Sequence, residues 1–336
     1  MSPSENLNAD SNLKSPHVAR LFVTFELPPE VREILERDFA VTWAPPGFRL
    51  APGVPADSLK GHDLLLVSAT QDRLDAEVLG RLPPEMRAVA TYSVGNDHID
   101  LAAAKARGIA VFSTPDVLSA AVAETGLLLM LGAARRVTES VQLVRGGQWR
   151  GWSPTQLNGW ALSGKVLGIF GMGRIGREIA ARARGFGMAI HYANRSRLAP
   201  ELEQGAVFHD TPESLLGVSQ FFMLACPATP QTTGFLDQRR IGLLPQGAIV
   251  ANVGRGATVV DADLVEALAS GRIAAAGLDV FNNEPAVYPG YLDLPTVFML
   301  PHIGSSTIEA RMAMGQIVAD GFVAFGKGLE TPNRIA

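Results

Sequence analysis

The sequence predicts an α/β fold with two doubly wound parallel sheets around a cleft. Three observations lead there. Strand-like and helix-like stretches alternate through most of the 336 residues, and such alternation means parallel strands joined by helical crossovers. The rhythm breaks once, at 116–146, which separates two alternating series. The length is that of about two domains.

The elements follow in order. Residues 1–19 are rich in Ser, Asn and Pro, with no apolar run of signal-peptide length, and are expected to form a flexible tail. Residues 21–25 (Leu-Phe-Val-Thr-Phe) form a strand candidate. An amphipathic helix spans 29–39, with Pro29 in its first turn. Residues 64–67 and 88–92 are further strands, with a short helix between them starting near Asp75. Asp116 can cap a long helix that stays helix-compatible to Arg145-Gly146-Gly147. This stretch includes Ala120, Val122, the run 127–131 and Val137, so it must be buried, in the core or against a second subunit. The second series has six strands, at 166–170, 189–193, 220–225, 248–253, 274–278 and 297–300, the inventory of a complete dinucleotide-binding sheet. A last helix is expected at 306–327. These elements place a dinucleotide-binding domain at 116–303. A second α/β domain is built from 20–115 plus 304–336, which serves substrate and catalysis.

Composition narrows the function classes. Hydrophobic residues make up 47% and charged residues 18%, which supports a substantial core and excludes a disordered chain. A formal net charge of −4 without a basic stretch excludes a nucleic-acid binder. The apolar helical run 127–131 ends before Arg135-Arg136 and is far short of the ~20 residues that span a bilayer. The single cysteine, Cys226, rules out an internal disulfide and suits a reducing cytoplasm. It lies in the apolar run 221–226 and reads as core packing, because a buried thiol behaves as a small hydrophobe.

Two regions carry chemistry. The strand 166–170 runs into Gly171-Met-Gly173-Arg-Ile-Gly176 and then into helix-compatible sequence. This is G-x-G-x-x-G between strand and helix, a Rossmann-like phosphate loop. Gly171 allows the tight turn, Gly173 lets a pyrophosphate approach the backbone, and Gly176 lets helix and strand pack closely. The carboxylate that grips a ribose 2′-hydroxyl belongs at the end of the next strand. Asn194 stands there, 18 residues past Gly176, followed by Arg195, Ser196 and Arg197. An uncharged amide with two guanidinium groups and a hydroxyl suits a 2′-phosphate, so NADP(H) is the preferred cofactor and NAD(H) a possible one. The second region is a set of loops after successive strands. They carry Val253-Gly254-Arg255-Gly256, Asp279, Glu284-Pro285 and Pro301-His302-Ile303-Gly304. An Arg, a Glu and a His converging at the carboxyl edge of a sheet would supply an anion clamp, an orienter and an acid or base. No metal-ligand pattern is present.

With these motifs in this order, the chain resembles the D-isomer-specific 2-hydroxyacid dehydrogenase family over about residues 60–328. The motifs are 93–100 (Ser-Val-Gly-Asn-Asp-His-Ile-Asp), Pro115-Asp-Val-Leu, the glycine loop, Val253-Gly-Arg255-Gly, Glu284-Pro285 and 301–305 (Pro-His-Ile-Gly-Ser). Within the family it is most similar to the glyoxylate/hydroxypyruvate reductases, through 152–156 (Trp-Ser-Pro-Thr-Gln) and 289–295 (Pro-Gly-Tyr-Leu-Asp-Leu-Pro). The resemblance implies that Arg255 binds the substrate carboxylate and 2-oxo group. It implies that His302 protonates the carbonyl oxygen while a nicotinamide supplies hydride, and that Glu284 hydrogen-bonds His302 and favours its charged form. The backbone at Val94 and Gly95 would hold the carboxylate from the other domain. Asp279 would meet the nicotinamide amide. Thr114 and Pro227 resemble positions lining the cofactor site, an assignment that extends to Arg174, Ile175, Cys226, Thr232, Val253, Gly254, His302 and Gly304. A homodimer is implied, with Trp152 near the partner's cleft.

Tyr288 stands where a His is expected in the reductase subfamily. Glu284, rather than Gln, argues against a formate-dehydrogenase-like member. Two other readings share the machinery. One is a phosphite dehydrogenase or another D-2-hydroxyacid dehydrogenase. The other is an NAD(H)-sensing, corepressor-like binding protein.

Overall fold

The computed structural model describes residues 18–54 and 56–336. Of the expected tail, 1–17 lie outside the described residues. The chain forms two compact units, one made of residues up to 92, 98–113 and 315–336, the other of 93–97 and 114–314.

The first unit runs β1 (Arg20–Val23), α1 (Pro29–Asp38), β2 (Ala40–Trp43), β3 (Leu64–Val67), α2 (Ala76–Arg81), β4 (Ala88–Thr91), α3 (Leu101–Ala106) and β5 (Ala110–Phe112). The strands form one parallel sheet in the order β2-β1-β3-β4-β5. Every residue of β3, β4 and β5 is buried. Continuous apolar strands of this kind belong to parallel sheets covered on both faces. Asp75 and Asp100 start their helices by accepting hydrogen bonds from the amides of Val78 and Ala103, at 3.0 and 2.9 Å. The short strands β2 and β5 are half-exposed or only three residues long, so they carry little of the signal that reveals the longer ones.

The second unit opens with α4 (Ser119–Ala134) and α5 (Val137–Arg145). Two expectations are corrected here. The stretch 116–146 is two helices, because Arg136 adopts a left-handed conformation (φ 55°) where its side chain turns back onto Glu139 at 2.6 Å. Asp116 does not cap α4. Its own φ is 71°, its carbonyl accepts from Ser119 N, and its carboxylate pairs with Arg174. Of the apolar run, Leu127, Leu129 and Met130 are buried, whereas Leu128 is 46% exposed.

The sheet of this unit follows: β6 (Val166–Phe170), α6 (Arg174–Gly185), β7 (Ala189–Ala193), α7 (Pro200–Glu203), β8 (Val207–Phe208), α8 (Pro212–Leu216), β9 (Phe221–Leu224), α9 (Gln238–Ile241), β10 (Ala248–Asn252), α10 (Asp261–Ala269), β11 (Ile273–Leu278), α11 (Pro289–Leu292) and β12 (Val297–Met299). The last helix, α12 (Ile308–Gly326), continues into the residues of the first unit. The sheet is parallel throughout, in the order β12-β11-β10-β9-β6-β7-β8. Six strands were expected and seven are present. The additional strand, β8, is a two-residue edge, too short to show a periodicity. Strand order reverses between β9 and β6, the switch point at which open sheets of this type bind ligands beyond their carboxyl ends. The two sheets confirm the predicted α/β class with two parallel-sheet domains. Among the described residues, no helix is long and apolar enough to cross a membrane.

Candidate active site

The loop after β6 is shaped by its glycines. Gly171 has φ 105°, and a Cβ there would lie 2.7 Å from the backbone at Ala225 and Cys226, after β9. A Cβ on Gly176 would lie 2.3 Å from the Gly171 carbonyl. At Gly173, by contrast, a Cβ would meet nothing within 4 Å. Gly173 is the N-cap of α6, and no side chain caps that end. The first amides of a twelve-residue helix therefore face open space, which fits a diphosphate. Thr114 Oγ1 is buried without a hydrogen-bond partner among the described residues, as expected of a group completed by a ligand. The residues present thus fit a dinucleotide. Arg174, inside the glycine loop, pairs with Asp116. Ile175 is half-buried.

After β10 the chain turns through Val253, Gly254 and Arg255. Asn252, fully buried, shapes the turn. Its side chain accepts from Gly254 N at 2.9 Å and donates to the Arg255 carbonyl at 3.0 Å, while Thr258 Oγ1 donates to the same carbonyl at 2.7 Å. Arg255 is held from outside as well. Its Nε donates to Asp97 Oδ1 at 3.1 Å and its Nη1 to the Gly254 carbonyl at 2.9 Å. The guanidinium lies directly on Gly95, where an added Cβ would come 1.7 Å from Nη2. Ser93 Oγ closes the 93–97 loop by donating to the Gly95 carbonyl at 2.6 Å. Half-exposed Val94 sits at its tip. Val94 and Gly95 thus share a compact unit with Arg255. A guanidinium has five N–H donors, so groups beyond the two bonds to Asp97 and Gly254 can serve an anion.

His302 and Glu284 come together after β12 and β11. His302 Nδ1 lies 2.6 Å from Glu284 Oε2, and Phe281 N donates to Glu284 Oε1 at 2.9 Å. Burial pushes the Glu284 carboxyl up, but the His302 hydrogen bond and charge, the Phe281 amide and the Arg255 charge outweigh it and hold it below the usual range. An ionised carboxylate only accepts, so Nδ1 of His302 is the donor and Nε2 is left for another partner. His302 itself has φ 56°. Asp279 holds it there: its two oxygens accept from Ile303 N and Gly304 N, both at 2.8 Å. Burial raises the Asp279 carboxyl above its usual range, against the pull of those two amides. On the far side of Glu284, Asp261 accepts from Asn282 Nδ2 at 2.8 Å and Tyr291 Oη at 2.9 Å, which braces the 281–291 segment.

The ribose-binding region is built differently. Asn194 Oδ1 accepts from Met172 N at 2.7 Å, tying the end of β7 to the glycine loop. Arg195 and Ser196 are exposed. Arg197 is committed to Glu203, with Nε 2.8 Å and Nη2 3.1 Å from its two oxygens. Cys226 is buried, and burial pushes its thiol up to about 12, which keeps it protonated and inert. Thr232 Oγ1 donates to the Pro227 carbonyl at 2.7 Å and accepts from Thr229 N, closing that loop on itself.

The sequence reading did not single out Asp97, Asn252, Asp261 or Glu203. Asp97 lies inside the 93–100 motif, and Asn252 in the strand 248–253 that leads to Arg255. Their partners are side chains or carbonyls fixed only on folding, and Asp97 is 158 residues from Arg255.

The chain is also similar to known proteins. Residues 127–304 match the family model of the D-isomer specific 2-hydroxyacid dehydrogenase NAD-binding domain. The chain is 45% identical over 266 residues to the glycerate dehydrogenase of Hyphomicrobium methylovorum, covering 79% of this chain and 82% of that one. It is 40% identical over 324 residues to the glyoxylate reductase of Thermococcus litoralis, covering 94% and 96%. Among solved structures, it superposes with a TM-score of 0.85 on the NADPH-dependent glyoxylate/hydroxypyruvate reductase of Sinorhizobium meliloti in complex with NADP and malonate. The identity there is 33%, covering 95% of this chain and 97% of that one. Matched by the family model and by relatives over 79% and 94% of its length, the chain belongs to the D-isomer specific 2-hydroxyacid dehydrogenase family, as an NAD(P)-dependent dehydrogenase of 2-hydroxy acids.

Proposed function

We propose that this dehydrogenase reduces a small 2-oxo acid of the glyoxylate or hydroxypyruvate type, with NADPH as its preferred cofactor. The 2.6 Å contact between Glu284 and His302 carries the reading. Glu284 stabilises the imidazolium through Nδ1, so Nε2–H is the proton available to a carbonyl oxygen. Arg255, oriented by Asp97 and Gly95, offers its free N–H groups to the substrate carboxylate and 2-oxo oxygen. The backbone at Val94 and Gly95 would flank the same carboxylate. A bound nicotinamide would supply the hydride taken up by the carbonyl carbon. The amides at the start of α6 would hold the cofactor's diphosphate. Asp279 retains acceptor capacity beyond its two amide bonds for the carboxamide. Thr114, Pro227, Thr232, Val253 and Gly304 would line the cofactor.

The cofactor preference rests on the uncharged Asn194 and on exposed Arg195 and Ser196. Hydrogen bonds to a charged group contribute about 1.5–3 kcal/mol, reduced here by solvent and salt. A preference for NADPH of about tenfold follows. The S. meliloti reductase, crystallised with NADP, supports it by analogy. Steady-state kcat/KM for glyoxylate, hydroxypyruvate, pyruvate and phosphite with NADPH and NADH tests the reading. Phosphite oxidation faster than any 2-oxo acid reduction would overturn it, and so would equal use of both cofactors for the preference.

The active unit is proposed to be a homodimer. Val141, Val144, Trp149 and Trp152, close together in sequence, are exposed, Trp152 by 83%, and exposed apolar patches mark association surfaces. A monomer by light scattering at micromolar concentration would exclude it.

A further inference from the structure

Glu203 takes no part in the roles assigned above, yet it is the most heavily engaged carboxylate near the ribose loop. It ends α7 with its side chain only 8% exposed. Oε1 accepts from Tyr192 Oη at 2.6 Å and from Arg197 Nε at 2.8 Å, and Oε2 accepts from Arg197 Nη2 at 3.1 Å. Tyr192 Oη accepts in turn from Leu198 N at 3.0 Å. Tyr192 lies in β7 and Leu198 just beyond the Asn194–Arg197 loop, so one carboxylate ties both ends of that loop.

The pairing also decides which cations the loop can offer. Arg197 meets Glu203 with its Nε and Nη2, the planar fork that would otherwise engage a phosphate. Its guanidinium is further steadied 5.8 Å from the ring of Phe208 in β8. The hydrogen bond from Arg197, then that from Tyr192, outweigh burial and hold the Glu203 carboxyl below the usual range, so it stays anionic near neutrality. Arg195 has no such carboxylate partner among the described residues.

We propose that Glu203 is a specificity-determining positioning residue for the cofactor's 2′-phosphate: it withholds Arg197 from the phosphate and shapes the loop so that Arg195 and Ser196 alone meet it. This rests on the NADPH reading above. Two consequences follow. The loop presents one uncompensated guanidinium where the sequence shows two, and the preference for NADPH is held below what the residues could deliver. Losing the Glu203 charge while keeping its shape should therefore strengthen NADPH binding.

The test measures dissociation constants of NADPH and NADH by titration calorimetry on the full chain, with adenosine 2′,5′-bisphosphate as a probe of the phosphate site, so no turnover is involved. Glu203→Gln keeps an acceptor for Tyr192 and removes the charge. It should tighten NADPH and the bisphosphate by about 2- to 5-fold, the range an exposed ion pair contributes, and leave NADH unchanged. Adding Arg197→Gln should return the NADPH/NADH ratio to that of the wild type, because the gain belongs to the released guanidinium. Arg195→Ala should weaken NADPH alone. A Glu203→Gln protein that loses affinity for both cofactors in parallel, or shows an unchanged ratio, overturns the proposal. Equal wild-type affinities for NADPH and NADH would overturn only the preference reading, since the variant-to-wild-type ratio still reports whether Arg197 is withheld.

Discussion

The two ends of the seven-stranded sheet are built on different principles. At the β10–β12 end, the proposed functional residues are held by partners 18 to 158 residues away. Arg255 is held by Asp97, His302 by Glu284, and the Ile303 and Gly304 amides that follow His302 by Asp279. At the β7–β8 end, the Tyr192, Arg197, Leu198 and Glu203 network is contained in twelve consecutive residues. Chemistry requires side chains placed to a fraction of an ångström, and contacts from several loops over-determine that placement. Cofactor choice requires only a suitable charge in a short loop, so one segment can supply it. The first end should be intolerant of change and the second easily re-tuned.

The largest effect should come from the acid. His302→Ala is expected to lower kcat by about 100-fold or more with little change in NADPH affinity, read by single-turnover kinetics and calorimetry. A kcat near that of the wild type would remove the asymmetry between the two ends. Arg255→Lys keeps the charge but loses the fork. It should cut kcat/KM for the best 2-oxo acid by a comparable or slightly smaller factor, while the cofactor dissociation constant stays put.

Gly95→Ala probes the same clamp from outside. Its Cβ would overlap the Arg255 guanidinium, so Arg255 must shift. KM for the 2-oxo acid should rise roughly 10-fold, the lower part of what misplacement costs. A KM unchanged in Gly95→Ala would show that the guanidinium is not needed where it lies. Glu284→Gln should act through pH. The lowered Glu284 carboxyl means that the ionised form favours a protonated partner. Only the ionised carboxylate accepts from His302 Nδ1, so wild-type kcat/KM should fall as pH drops through the lowered Glu284 carboxyl. In Glu284→Gln that acid limb should be missing and kcat/KM lower throughout. An acid limb that persists unchanged would separate the pair functionally.

The smallest effect is expected at the other end. Asn194→Asp with Arg195→Ala should shift preference from NADPH toward NADH by about tenfold, mainly through KM for NADPH, with kcat hardly altered. A collapse of kcat with both cofactors would mean that the β7–β8 loop is as tightly coupled to the chemistry as the β10–β12 loops.

Much of the molecule was legible in the residues. Apolar strands such as 166–170 and 220–225 correspond to β6 and β9, because a parallel strand covered on both faces is apolar along nearly its whole length. The glycine loop was legible because only glycine fits where Gly171 and Gly176 press on neighbouring backbone. The motifs also singled out Arg255, Glu284 and His302, the residues proposed above to act on the substrate. Tertiary structure alone decided the rest. It broke the 116–146 helix at Arg136 and turned Asp116 toward Arg174. It brought Asp97 to Arg255, and it set Arg197 against Glu203 rather than leaving it free. The physical reason is common to these cases. Local sequence sets backbone preference and apolar pattern, whereas the partner of a charged side chain is whichever opposite charge the fold delivers within a few ångströms.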